Sequence, residues 1–75
     1  MIINVRNLSA KTINLNIPNN YKIYNIKQMV QEMEGIGHTQ QKILFDGKIL
    51  DDNKQISETN IKPDDTLQLI LALRL

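Results

Sequence analysis

Apolar and polar side chains alternate near both ends of the chain and take up a helical spacing in between. From Met1 to Asn7, Met1, Ile3 and Val5 fall on one side and Ile2, Asn4 and Arg6 on the other, the period of a strand with one buried face. Asn7 to Ala10 interrupts the pattern with turn-forming residues. Lys11 to Ile17 resumes it, with Ile13, Leu15 and Ile17 opposing Thr12, Asn14 and Asn16, so the two runs predict a β-hairpin. Pro18-Asn19-Asn20 closes the second strand, because proline has no N–H for a ladder and asparagine readily bonds its own backbone.

Between Lys22 and Glu34 the period changes. Ile23, Ile26, Val30 and then Met33 or Glu34 make one helical stripe, which assigns Lys27, Gln28, Gln31 and Glu32 to the solvent side. Gly35 can end the helix with positive φ, and Asn20 is the nearest good N-capping side chain. Lys42 to Phe45 then meets Asp46-Gly47, the strongest short hairpin signal, and returns as Lys48 to Leu50. Asp51 to Gln55 reads as a polar loop, Ser57 to Asn60 as a single helical turn, and Lys62-Pro63-Asp64-Asp65 as a further turn. Thr66 to Leu73 alternates once more. A lone helix must cover one face of one sheet, and the apolar final strand belongs at the sheet centre, where both its edges are paired. The order predicts an α+β, β-grasp fold, a mixed five-stranded sheet with one main helix on one face, filling residues 1–75 as a single domain.

Composition narrows the function classes. The chain has 75 residues, 41% of them hydrophobic, and a chain of this size buries only roughly 60% of its unfolded surface, enough for one core. With no cysteine, a disulfide scaffold and a thiolate zinc site are excluded. Nine Lys and Arg against eight Asp and Glu leave +1, which argues against a nucleic-acid module. The longest apolar run, Leu69 to Leu73, is far below the ~20 residues of a membrane span. No secretory leader pattern opens the chain, so the expectation is an intracellular protein of cytoplasm and nucleus, a monomer without membrane or nucleic-acid partners.

Candidate chemistry is sparse. His38 is the single histidine, and Ser9 and Ser57 lie in turns well separated from it, so no nucleophile and base are paired. Asp51-Asp52 and Asp64-Asp65 lack the alternating ligand spacing of a calcium loop and read as solvated turns. No enzyme activity, cofactor or metal is expected. The informative anomaly lies on the sheet face away from the helix. Ile70 and Leu44 are out of phase with their core-facing neighbours, and Leu8 sits at a loop tip where polar residues are usual. With no second layer to cover that face, Leu8, Leu44 and Ile70 predict a solvent-facing apolar patch, rimmed by Arg6, Lys42, Lys48 and Gln68, suited to docking proteins.

Lys11-Thr12-Ile13, Glu34-Gly35-Ile36, Gln40-Gln41, Phe45 with Gly47-Lys48, Leu50 with Asp52, Asn60-Ile61, Thr66-Leu67, Leu69 and Leu71 to Arg74 together resemble the ubiquitin and NEDD8 family, in register over the whole chain. The resemblance implies the β-grasp fold, no catalysis, and recognition through the outer sheet face. It implies that Leu8, Leu44, Gln68 and Ile70 form the main protein-binding patch, with Gln68 replacing a usual histidine, and that Ile36, Leu71 and Leu73 form a second apolar patch. In Leu71-Ala72-Leu73-Arg74 the alanine is NEDD8-like, where ubiquitin-type members carry arginine. Activating enzymes of the family discriminate at that position, since a pocket must either pair or exclude a guanidinium. Ala72 and Arg74 are therefore the expected discrimination and tail residues.

Conjugated members continue with Gly-Gly after Arg74, where this chain has Leu75. As written the chain is expected not to be conjugated. Three origins of Leu75 stay open: an artificial replacement of the natural tail, a natural tail that prevents conjugation, or the cut end of the first domain of a longer protein. Lys11, Lys27 and Lys48 are the possible chain-acceptor lysines, whereas Arg6, Met29, Met33 and Pro63 stand where ubiquitin-type members have lysine. The implied partners are proteins: activating, conjugating and ligase enzymes for a modifier, or ubiquitin-type receptors and the proteasome for a non-covalent docking domain.

Overall fold

The computed structural model describes residues 1–7 and 9–72. Five strands, β1 (Ile2–Arg6), β2 (Thr12–Asn16), β3 (Gln41–Phe45), β4 (Lys48–Ile49) and β5 (Thr66–Leu71), surround one helix, α1 (Ile23–Glu34). They form one mixed sheet in the order β2-β1-β5-β3-β4, with β1 and β5 parallel and the other neighbours antiparallel. The apolar β5 is central, as its composition requires.

Alternation places Ile3, Val5, Ile13, Leu15, Ile43, Leu67 and Leu69 on the face under the helix, where they meet Ile23, Ile26 and Val30. Asp46 and Gly47 both take positive φ, 53° and 76°, the two-residue turn whose twist suits a tight hairpin. That turn sets Phe45 opposite Lys48 and Leu44 opposite Ile49. Leu50 packs against the core just beyond the return strand. At Lys62–Asp65, Asp64 takes φ 69°, and its N–H donates to the Ile2 carbonyl at 2.7 Å, aligning the entry to β5 with β1.

Several local expectations are corrected. The N-terminus of α1 is not capped by Asn20. Its first N–H groups, from Ile23 and Tyr24, donate to the carbonyls of Lys54 (2.9 Å) and Asp52 (3.0 Å), so the 51–55 loop supplies the acceptors. Asn25 Oδ1 reaches back to the Lys22 N–H at 2.8 Å. At the other end Gly35, φ 73°, donates to the Gln31 carbonyl at 2.8 Å. The helical turn after the loop runs Ile56–Glu58 rather than Ser57 to Asn60, and a second one forms at His38–Gln40, where a loop was expected.

Lys27 is the main correction. Assigned to the solvent side, it is only 7% exposed, and its Nζ lies 2.5 Å from Asp52 Oδ1. It follows Ile23 by one helical turn, so it flanks the apolar stripe, and the 51–55 loop covers that flank. Asp52 is therefore an ion-pair partner rather than a freely solvated turn residue. The stripe ends on Glu34, whose side chain is mostly buried, while Met33 is 56% exposed.

Candidate docking face

Because side chains alternate across a strand, the residues opposite the helix lie in rows on the bare face of the sheet. Register places Arg6 beside Gln68, Gln68 beside Leu44, and Leu44 beside Ile49, so one row crosses β1, β5, β3 and β4. The next row sets Ile70 beside Lys42. Leu44, Gln68 and Ile70 are thus brought together, each half-buried among neighbours on an uncovered face. Leu8 lies outside the described residues. Lys48 faces differently: it is opposite Phe45, hence on the other side of the hairpin from Leu44. It helps line a recess of about 330 Å³ between the hairpin end and the segment 51–60, with Leu50, Lys54 and Glu58.

The other half of the bare face is polar. Asn4 and Asn14 are cross-strand partners, Asn14 Nδ2 donating to Asn4 Oδ1, and Asn4 Nδ2 donates to the Asp64 carbonyl at 3.0 Å. Apart from Ile2, 47% exposed at the start of β1, the apolar side chains of the bare face gather on β3, β4 and the C-terminal part of β5.

The second patch lies elsewhere. Ile36 and Leu71 line a recess of about 100 Å³ together with Leu69, Asn7 and Ser9. Leu71 is exposed although it shares the core-side phase of Leu67 and Leu69, because it pairs with Gln41 at the end of the sheet. Gln41 itself is buried, and its Nε2 donates to the carbonyls of Lys27 (3.0 Å) and Ile36 (2.8 Å), tying the helix and its exit loop to β3. Ala72 is half-buried and its N–H donates to the Gln40 carbonyl at 2.7 Å. Leu73, Arg74 and Leu75 lie outside the described residues.

The three lysines are not equivalent. Lys11 is exposed, its Nζ 3.3 Å from Glu34 Oε2, and Lys48 is exposed at the hairpin tip. Lys27 is enclosed, 7% exposed and paired with Asp52. The acidic pairs serve turns: Asp51 Oδ1 accepts from the Asn53 N–H and Asp65 Oδ2 from the Lys62 N–H, both at 2.8 Å. Among the described residues no three His, Asp or Glu side chains converge as metal ligands would. His38 donates through its backbone N–H to Gln31 Oε1 at 3.0 Å and packs edge-on against Tyr24. No described helix is long and apolar enough to cross a membrane.

Sequence reasoning passed over Ile49, the most exposed large apolar side chain described, at 58%. The signal was present: a two-residue Asp-Gly turn fixes which residues face each other, and counting back from it puts position 49 beside Leu44.

A mixed five-stranded sheet with β5 at its centre, one helix on one face and an uncovered, partly apolar face defines a ubiquitin-like β-grasp protein. The model of the ubiquitin family matches residues 3–74, and the chain belongs to that family. It is 43% identical over 74 residues to the ubiquitin-like protein NEDD8 of Dictyostelium discoideum, a match covering 99% of this chain and 96% of that protein. Against the NEDD8-like protein RUB1 of Saccharomyces cerevisiae it is 34% identical over 74 residues, again 99% of this chain and 96% of the relative. Ubiquitin-like protein 4A of Danio rerio is 34% identical over 71 residues, 95% of this chain but 45% of that longer protein. The chain is a ubiquitin-like protein of the NEDD8 type, and not an enzyme.

Proposed function

We propose that this chain is a protein tag of the NEDD8 type, handled through its C-terminal strand and tail by activating, conjugating and ligase enzymes. Receptors read it on the outer sheet face at Leu8, Leu44, Gln68 and Ile70, in the cytoplasm and nucleus. The observation that carries the reading is the match to NEDD8-type proteins over nearly the whole of both chains, joined to Ala72 at the position where NEDD8-type tails have alanine. Alanine presents no charge to an activating enzyme's pocket, whereas arginine brings a permanent cation that must be paired.

Replacing Leu75 with Gly-Gly after Arg74 tests this. The extended chain is expected to form a thioester with a NEDD8-type activating enzyme at least about ten-fold faster than with a ubiquitin-type one, a difference of ~1.4 kcal/mol. Ala72→Arg is expected to reverse the preference. Equal charging by both enzymes removes Ala72 as the discriminator, and charging by neither removes the modifier reading. The second reading, a non-covalent domain docking a larger protein on the proteasome or another receptor, is favoured by the match to ubiquitin-like protein 4A, of which this chain spans 45%. It needs the same outer face but no charging.

A further inference from the structure

We propose that β2 is a self-recognition edge, through which two copies of the chain pair antiparallel about a two-fold axis at Asn14 when the protein is concentrated. This edge is the opposite margin of the sheet from β4 and is separate from the apolar patch of the outer face.

β4 is blunted by its length of two residues, whereas β2 runs for five, Thr12–Asn16. The hydrogen-bond phase of β2 follows from its two ends. Met1 and Ile17 exchange bonds at 2.7 and 2.8 Å, and the Asn7 N–H donates to the Lys11 carbonyl at 2.9 Å. Bonded and non-bonded pairs alternate along an antiparallel ladder, so Leu15 and Ile13 take the bonded positions opposite Ile3 and Val5. The backbone N–H and C=O groups of Thr12, Asn14 and Asn16 therefore point away from the sheet, and among the described residues no group bonds to them.

Sheet margins are usually protected by charge, proline or a bulge, and Thr12–Asn16 carries none of these. Thr12, Asn14 and Asn16 are exposed and neutral, while Ile13 and Leu15 face the core. Lys11, just before the strand, is drawn to Glu34 at the end of α1, and Pro18 lies beyond the other end, so the two bound the pairing segment. The segment is self-complementary. With Asn14 opposite its symmetry mate, Thr12 lies opposite Asn16 and Ile13 opposite Leu15 in both directions, and every outward N–H and C=O finds a partner. Asn14 donates from Nδ2 to Asn4, which leaves its Oδ1 and second amide hydrogen for the Asn14 across the axis. No like charges meet there. A peptide of another sequence gains the same backbone bonds without this side-chain match, which selects a second copy as the occupant. Paired residues point to the same side, so the two uncovered faces lie side by side on one continuous sheet.

Five residues a side is well below the ~20–30 of a stable complex, so the expected Kd is about 1 mM. Sedimentation equilibrium and NMR of the isotopically labelled chain, from about 0.05 to 3 mM, test the pairing. The amides of Thr12, Asn14 and Asn16 are expected to shift with concentration and to exchange with solvent about two-fold more slowly at the top of the range. Asn14→Lys and Asn14→Glu each set like charges opposite one another, so each alone is expected to associate at least about ten-fold more weakly, and an equimolar mixture to recover the dimer. The amide readout on the parent chain needs no variant, so it decides the matter even if one of them fails to fold. A chain that stays monomeric throughout the range overturns the proposal, as does a Lys variant that associates like the parent. Concentration-dependent shifts centred on Leu44, Ile49 and Ile70 would place self-association on the outer face instead. An unrelated extended peptide that moves the amides of Thr12, Asn14 and Asn16 at about ten-fold lower concentration would assign the edge to a different occupant.

Discussion

The enclosure of one ammonium group sets the lysines apart in accessibility to reagents. Lys27 Nζ is held against Asp52 under the 51–55 loop, and an acyl group cannot reach it unless that loop opens. Lys11 is held only by an exposed ion pair, its side chain 64% exposed. Such pairs are worth about 0–1 kcal/mol, so Lys11 is free much of the time. With a limiting acylating reagent, Lys11 and Lys48 are expected to react at least about ten-fold faster than Lys27 in the folded protein, since each ~1.4 kcal/mol of opening free energy is one decade of protection. In denaturant the difference should vanish. Mass spectrometry of the labelled peptides reads both conditions, and equal rates in the folded state would contradict the enclosure of Lys27.

The elements are joined by a few polar side chains as well as by the apolar core. Gln41 on β3 donates to two carbonyls, one in α1 and one in the exit loop, and is almost wholly buried. Gln41→Leu keeps most of the volume but leaves those carbonyls with one partner fewer, so it is expected to lower unfolding free energy by ~1–3 kcal/mol. Urea denaturation measures it, and a change within about 0.3 kcal/mol would show that water replaces the amide without loss. The strands, the helix and the Asp46-Gly47 hairpin were legible in the sequence because their signals are local: alternation, an i, i+3, i+4 stripe and a two-residue turn. Leu44 and Ile70 were legible for the same reason, being out of phase with their neighbours. The capping of α1 and the burial of Lys27 were not, because both depend on a loop that joins the helix from 25 positions away. Lys48 was expected on the patch rim, while the hairpin register turns it to the other side.

At the scale of the molecule, one helix and one sheet leave one sheet face without a layer. Among the described residues the fold buries thirteen apolar side chains in one core and sets Leu44, Ile49 and Ile70 outside it. A protein built this way can lose an outer-face side chain with little loss of stability, which makes that face suited to recognition. The most direct test of the account measures two quantities on one variant, Leu44→Ala: the melting temperature, and the affinity for a ubiquitin-type receptor domain that binds the parent chain. The account predicts a melting temperature within about 5 °C of the parent, equivalent to roughly 1 kcal/mol for a domain of this size. It also predicts an affinity loss of about 1–3 kcal/mol, as for residues central to an interface. A melting temperature lowered by ~15 °C or more with unchanged affinity would contradict it, placing Leu44 in the core and the recognition surface elsewhere.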